Sequence, residues 1–194
     1  MPNTFGSFQL TTVAALPNVT VAFPGEHWSD GKAGSAIVPG QLVIPSASAI
    51  VASMHQLTTL RTWVVAPSGA LDPRAAIALR TVQIPDTNPG NIYNEQLTPN
   101  QIMNRVIPIG EYVHAYRSGS FHLTLIKPDA TYQPGDLLGW DPAQAALTGK
   151  PAGSGAWVKT GTAANALMEV EEWRPLTSDA TQGVLTARTL RVQE

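Results

Sequence analysis

The residues able to do chemistry are few in this chain, and their spacing limits what they could do. Four histidines, His27, His55, His114 and His122, show no HxH, HxxxH or HExxH spacing, the arrangements that bring two imidazoles within the roughly 2 Å bonds of a zinc site. They read as partly buried structural histidines. Glu169 and Glu171 fall on one face of an expected strand with Glu172 on the other, and two carboxylates so placed could serve as a glycosidase pair. Such pairs come from different elements across a cleft, so a small hydrolase built on Glu169 and Glu171 is the third reading here and a solvated strand edge the first. The stretch GKPAGSG, residues 149–155, has the glycines of a phosphate loop, but Lys150 precedes them, whereas a phosphate loop needs its Lys after the last Gly and a Ser or Thr next. Ser154 lacks the G-x-S-x-G context of a nucleophile elbow. The five tryptophans, Trp28, Trp63, Trp140, Trp157 and Trp173, suit core packing and subunit contacts, with a carbohydrate platform as the alternative use. Asn18-Val19-Thr20 is formally a glycosylation sequon. No catalytic residue, metal ligand or cofactor is assigned.

The elements that would carry these residues are mostly strands. Charged residues make up 13% against a usual share near 25%, so the surface is covered by small polar side chains or by other chains. Twelve Lys and Arg against fourteen Asp and Glu give a net charge of -2, which leaves no excess of cations for nucleic acid. There is no Cys, so disulfides and thiolate metal sites are excluded. No apolar run approaches the roughly 20 residues that span a bilayer, and the start lacks the basic region of a secretory signal; a soluble protein made in a cytoplasm is expected.

Short strands bounded by Gly and Pro turns recur along the chain. VPGQLVIP (38–45) and QPGDLLGW (133–140) are near copies, each read as a type II turn with Gly at the position of positive φ, delivering a strand. Residues 61–66, 156–159, 166–173 and 184–192 read as strands, and 84–96 as a loop. Segments 111–116 and 121–126 read as a hairpin about Ser118-Gly119 that pairs Tyr116 with Phe121, His114 with Leu123 and Tyr112 with Leu125. Asp72-Pro73 reads as the cap and first turn of a helix through Leu79. Thr98 to Gln101 reads as a capping box opening a helix toward Val106, and 47–60 is ambiguous between helix and strand. The expected fold is mainly β: a compact β-sandwich or β-barrel-like domain over 37–194 with one to three short helices, preceded by an extended N-terminal arm over 1–36 with one strand near 18–23.

The order of AIVPGQLV (36–43), GEYVHAYRSGSFHLTLI (110–126), YQPGDLLGWDPAQAAL (132–147), WVKTGTAANALMEVEE (157–172) and VLTARTLRVQE (184–194) resembles the head decoration, or cement, proteins of tailed bacteriophages. The resemblance implies a non-enzymatic structural virion protein on the outer surface of an icosahedral head. Its partners would be the major capsid protein and further copies of itself, as a homotrimer ahead of a homodimer, with no nucleic acid, membrane or cofactor. The arm would lie across neighbouring subunits with Phe5, Phe8, Leu10, Phe23 and Trp28 as contacts. A phage surface carbohydrate-binding or adhesin-like module using Trp140 or Trp157 is the alternative.

Overall fold

A computed structural model describes residues 16–24, 31–46, 51–52, 59–68, 72, 74–79, 104–144, 150 and 153–190. Among these residues twelve strands follow one another: β1 (Val19–Pro24), β2 (Gly31–Ala33), β3 (Leu42–Pro45), β4 (Val51–Ala52), β5 (Thr59–Val65), β6 (Ala76–Leu79), β7 (Tyr112–Tyr116), β8 (Gly119–Leu123), β9 (Leu137–Asp141), β10 (Ala156–Lys159), β11 (Met168–Pro175) and β12 (Gly183–Thr189). The protein is mainly β, as its turn-punctuated sequence predicts. Two sheets form, in the orders β2-β7-β6-β3-β5-β4 and β1-β8-β12-β11-β9-β10. The first closes on itself, because β2 pairs in parallel with β5 from Gly31↔Arg61 to Ala33↔Trp63. The strands β2, β7, β6, β3 and β5 are therefore a barrel, which removes two sheet edges at once.

The second sheet repeats the plan. Numbered along each half, the strands β2, β3, β5, β6, β7 and β8, β9, β10, β11, β12 both take the order first, fifth, fourth, second, third. The third strand returns to the first in parallel in both halves: Ala33 lies opposite Trp63, and Ile126, just past β8, bridges Trp157. The hydrogen bonds match as well, with Gly34 N–H donating to Trp63 O at 2.8 Å and Lys127 N–H to Trp157 O at 2.9 Å. The chain is thus an internal duplication, with Trp63 and Trp157 in equivalent places.

One turn recurs within this plan. In residues 38–41, 108–111 and 133–136 the last N–H donates to the first carbonyl at 3.1, 3.1 and 3.0 Å, and the third residue is Gly40, Gly110 or Gly135 with φ of 95, 89 and 90°, as a type II turn requires. Each glycine N–H then donates at 2.8 Å to one strand residue, Ala78, Ala33 or Val170. That residue returns its own N–H to the turn's last carbonyl at 3.0, 2.8 and 2.8 Å respectively. The near-copied Pro-Gly stretches are therefore clips as well as turns, and the third, Pro108-Ile109-Gly110-Glu111, is hidden from a dipeptide search because its proline stands one position early.

Two cores result. Inside the barrel, the fully buried Trp63 ring is surrounded by Ala33, Ala76, Ala78 and Ala115 with Ile37, Val43, Ile107 and Val113; the small side chains leave the volume that an indole needs. A Cβ at Gly31 would strike that ring. Between the barrel and the second sheet lie Leu42, Ile77, Phe121, Leu123, Leu138, Trp140, Trp157, Met168, Val170 and Leu185. The wall strands β3 and β6 serve both, with Val43, Ala76 and Ala78 facing in and Leu42 and Ile77 facing out.

That double burial corrects the helix expected over 72–79. Asp72 acts as a cap for one turn, its carboxylate accepting the Arg74 N–H at 2.8 Å and its carbonyl the Ala75 N–H at 2.8 Å. The next four residues then form β6, between β3 and β7. Ala76-Ile77-Ala78-Leu79 has no polar face for a surface helix, and a strand buried on both sides takes such a run.

The expected hairpin is also corrected. Both strands exist, but β7 belongs to the barrel and β8 to the second sheet, and they do not pair. Val113 and Ala115 are the buried residues of β7, while Phe121 and Leu123 are those of β8. In the hairpin register these two sets point to opposite faces of one sheet; in the structure Val113 and Ala115 line the barrel interior while Phe121 and Leu123 join the core between the sheets. The chain passes between sheets at Arg117-Ser118 instead, with Tyr116 and Phe121 meeting edge to face at 6.3 Å. Of the segment 1–36, residues 16–24 and 31–36 are described, and β1 and β2 pair with β8, β5 and β7 of the same chain. The capping box at 98–101, the loop at 84–96 and most of 47–60 lie outside the described residues.

Trp63→Ala is expected to lower the unfolding free energy by about 3–5 kcal/mol, and Ala115→Leu, which adds bulk beside the same ring, by about 1–3 kcal/mol, both read from urea melts. Gly135 has open space around it, so Gly135→Ala tests φ alone: a loss of about 1–2 kcal/mol, largely recovered in Gly135→Asn.

Candidate functional site

The polar face of the second sheet carries a ladder of side chains in register. Thr20 of β1 lies opposite His122 of β8, His122 opposite Thr186 of β12, and Thr186 opposite Glu172 of β11. One row away, Ser120, Arg188 and Glu169 align in the same manner. His122 Nδ1 is 3.0 Å from Thr186 Oγ1. Arg174 holds Glu172 through two 2.8 Å bonds, and its guanidinium keeps that carboxyl below the usual range. Arg188 pairs with Glu169 at 2.8 Å.

A β-bulge shifts the register between Val170 and Glu172. Glu171 is the extra residue, so Glu172, expected on the opposite face, comes onto the outer face with Glu169, while Glu171 is exposed and its charge acts on Arg188, the partner of Glu169. His114 stands in the barrel and His122 in the other sheet, and no group of three or more His, Asp or Glu that could hold a metal occurs among the described residues.

Beside the ladder runs a groove of about 190 Å³. Leu16, Pro17, Val184 and the Thr20 and Thr124 side chains make its largely apolar walls, with His122 and Arg174 as its basic groups. Its rim is a fixed piece of chain. Leu16 O accepts from Asn104 Nδ2 at 2.7 Å and from Lys150 Nζ at 3.0 Å. Pro17 O accepts from Thr124 Oγ1 at 2.8 Å. The Asn18 N–H donates to Asn104 Oδ1 at 2.6 Å, and Asn18 O accepts the Thr124 N–H at 3.0 Å. Side chains from three remote segments thus hold the point from which residues 1–15 depart. Lys150, expected in a loose loop, is drawn into this clamp, and burial pushes its ammonium down to about 8.

The residues singled out from sequence are distributed as follows. Phe5, Phe8, Leu10 and Trp28, together with His27 and His55, lie outside the described residues. Phe23 is in β1, its backbone opposite Ser120. Trp140 and Trp157 are buried at 3% and 0% exposure, their indole N–H groups donating to Ala66 O at 3.1 Å and Gly40 O at 2.9 Å, so neither offers a face to a sugar. Trp173 is half-buried against Tyr132 at 5.2 Å. Asn18 is 1% exposed, out of reach of a glycan. Sequence reasoning missed the clamp: Asn104, Thr124 and Lys150 carry no local signal, and nothing in their spacing links them to Leu16. The chain matches no family model, no curated protein and no solved structure.

The clamp has a pH signature. Because Lys150 titrates near 8 when folded and near 10.4 when unfolded, the unfolded chain binds more protons between those values, and stability rises with pH across that window. Comparing unfolding free energies of the parent and Lys150→Met from pH 7.5 to 10.5 isolates this: the parent gains up to about 3 kcal/mol more than the variant. Parallel curves would assign the ammonium to solvent.

Proposed function

We propose that this protein is a non-enzymatic decoration protein of a tailed-phage head, binding the outer surface of the shell and bridging neighbouring major capsid protein subunits. The observation that carries this reading is the clamp at Leu16 to Asn18, whose four backbone groups are held by Asn104, Thr124 and Lys150. It gives residues 1–15, with their Phe5, Phe8 and Leu10, a rigid root on a double β unit. An anchored root turns binding of the arm into tension between two bodies, which is what a bridge needs. Many copies each engaging more than one subunit raise occupancy by effective concentration, and binding to the assembled shell stabilises it by mass action. The stretches that resemble decoration proteins include two of the three clip turns, those at 38–41 and 133–136. The carbohydrate-binding alternative rested on Trp140 and Trp157, whose enclosure takes away its support.

Removal of residues 1–15 tests the reading, whereas removal of 1–36 would also take out β1 and a barrel strand. The shortened protein is expected to melt within a few degrees of the parent and to lose co-sedimentation with expanded, undecorated heads of the phage that encodes it. Undiminished binding of the shortened protein would overturn the arm's role, and failure of the parent to bind heads would overturn the function.

A further inference from the structure

We propose that residues 13–15 of this chain seat in the chain's own groove, with Val13 packed between Leu16 and Val184, so that the arm crosses the outer face of the second sheet before it leaves the molecule. The proposal goes beyond the decoration reading and stands without it, since the contact lies within one chain.

The first argument is where the arm begins. Leu16 and Pro17 are the first described residues and also two walls of the groove, so residues 1–15 start at its edge with no gap to cross. The register lays the groove out across the strands. Thr20 lies opposite His122, and His122 opposite Thr186. Two residues along, the Thr124 N–H is bonded to Asn18 O at 3.0 Å, and Val184 of β12 faces Arg174 of β11. Leu16 and Pro17 therefore close the β1 end of the groove, and Val184 with Arg174 the far end. Only β8 stands between β1 and β12, a separation of about 10 Å, and three residues of extended chain span about 10 Å. Val13, three residues before Leu16, has the reach to meet Val184.

Anchoring is the second argument. The backbone of Leu16 to Asn18 is already held by Asn104, Thr124 and Lys150, so the entropy of fixing the near end of the segment is lost before docking begins. A tether this short gives an effective concentration of about millimolar or above, which a free partner must exceed to take the groove.

Chemistry is the third. Leu16, Pro17 and Val184 are each only half-buried, and with the Thr20 and Thr124 side chains they border about 190 Å³, room for one branched side chain and a small neighbour. Covering them removes apolar surface from water. The polar groups at the groove are engaged elsewhere, His122 Nδ1 with Thr186 Oγ1 and Arg174 with Glu172, so the groove selects by size and apolarity. Val13-Ala14-Ala15 supplies one branched and two small side chains. Residues 1–15 hold no charged side chain that docking would strip of water. Phe5, Phe8 and Leu10 lie farther up the chain, and with Val13 seated they depart from the outer face, opposite the barrel, which packs on the inner face.

Methyl NMR on the full-length 20.6 kDa chain tests this. The Val13 methyls are expected to show nuclear Overhauser contacts to Val184 and Leu16. In a mixture of labelled and unlabelled copies, filtered spectra are expected to show none between copies at Val184. A double-mutant cycle gives the energetic arm. Val184 belongs to neither core, so Val184→Ala leaves the fold intact. The effect of Val13→Ala on the unfolding equilibrium constant in urea is expected to shrink about threefold or more in the Val184→Ala background. Absence of contacts between Val184 and residues 13–15, contacts at Val184 that arise only between copies, or additive effects of the two substitutions would each overturn the seat. Heads take no part in these readouts: a chain that shows the contact and ignores heads keeps the seat and sinks the decoration reading, whereas a chain that binds heads with Val13 away from Val184 does the reverse.

Discussion

The wall shared by the two cores is the constraint on which the rest of the structure depends. A barrel of five strands is narrow, and its interior is filled by Trp63, four alanines, two valines and two isoleucines; the strands that face the second sheet must then be apolar on their outer side as well. β3 and β6 meet this condition with Leu42 and Ile77 outward against Val43, Ala76 and Ala78 inward. Two indoles complete the join. Trp140 and Trp157, packed against each other at 5.4 Å, reach across from the second sheet and donate to Ala66 O and Gly40 O. Each such bond is worth about 1 kcal/mol net, and its larger effect is to leave no alternative angle between the halves.

The duplication shows how one local solution can be used twice with different results. Trp63 and Trp157 occupy equivalent places on the parallel seam, yet Trp63 fills its own barrel while Trp157 binds the carbonyl of Gly40 in the other half. The seam is three residue pairs long at Trp63 and a single bridge at Trp157. The half with the short seam accepts β1 as an added strand, and with it the clamp, the ladder and the groove. Asymmetry between the halves is thus where the candidate site arises.

Function, on this view, is a matter of presented surfaces. The unit is tied together by both cores, three clips and the clamp. It offers an anchored arm root, a shallow groove with basic groups, and a fixed apolar turn at Ile109. The proposed decoration role would draw on such features, since holding neighbours at set distances depends on geometry and burial.

Much of the β architecture was legible in the sequence because its signals are local. The Pro-Gly turns at Gly40 and Gly135 need positive φ wherever they occur, and the strand at 137–141 follows one of them directly. The mixed burial of 112–116 was legible too, yet it was assigned to the wrong face, since Tyr112, His114 and Tyr116 look as apolar as Val113 and Ala115. Asp72 was read as the cap of a helix and caps a single turn instead, because the partner strands that claim Ala76 to Leu79 come from residues far along the chain. The sequence by itself determined where the backbone turns and which stretches extend, as these rest on φ, side-chain branching and a period of two. Tertiary structure alone decided which sheet each strand joins, which carbonyls the tryptophans bind, and that Asn104, Thr124 and Lys150 converge on Leu16 to Asn18, because those outcomes are set by burial between segments that are remote from one another in the chain.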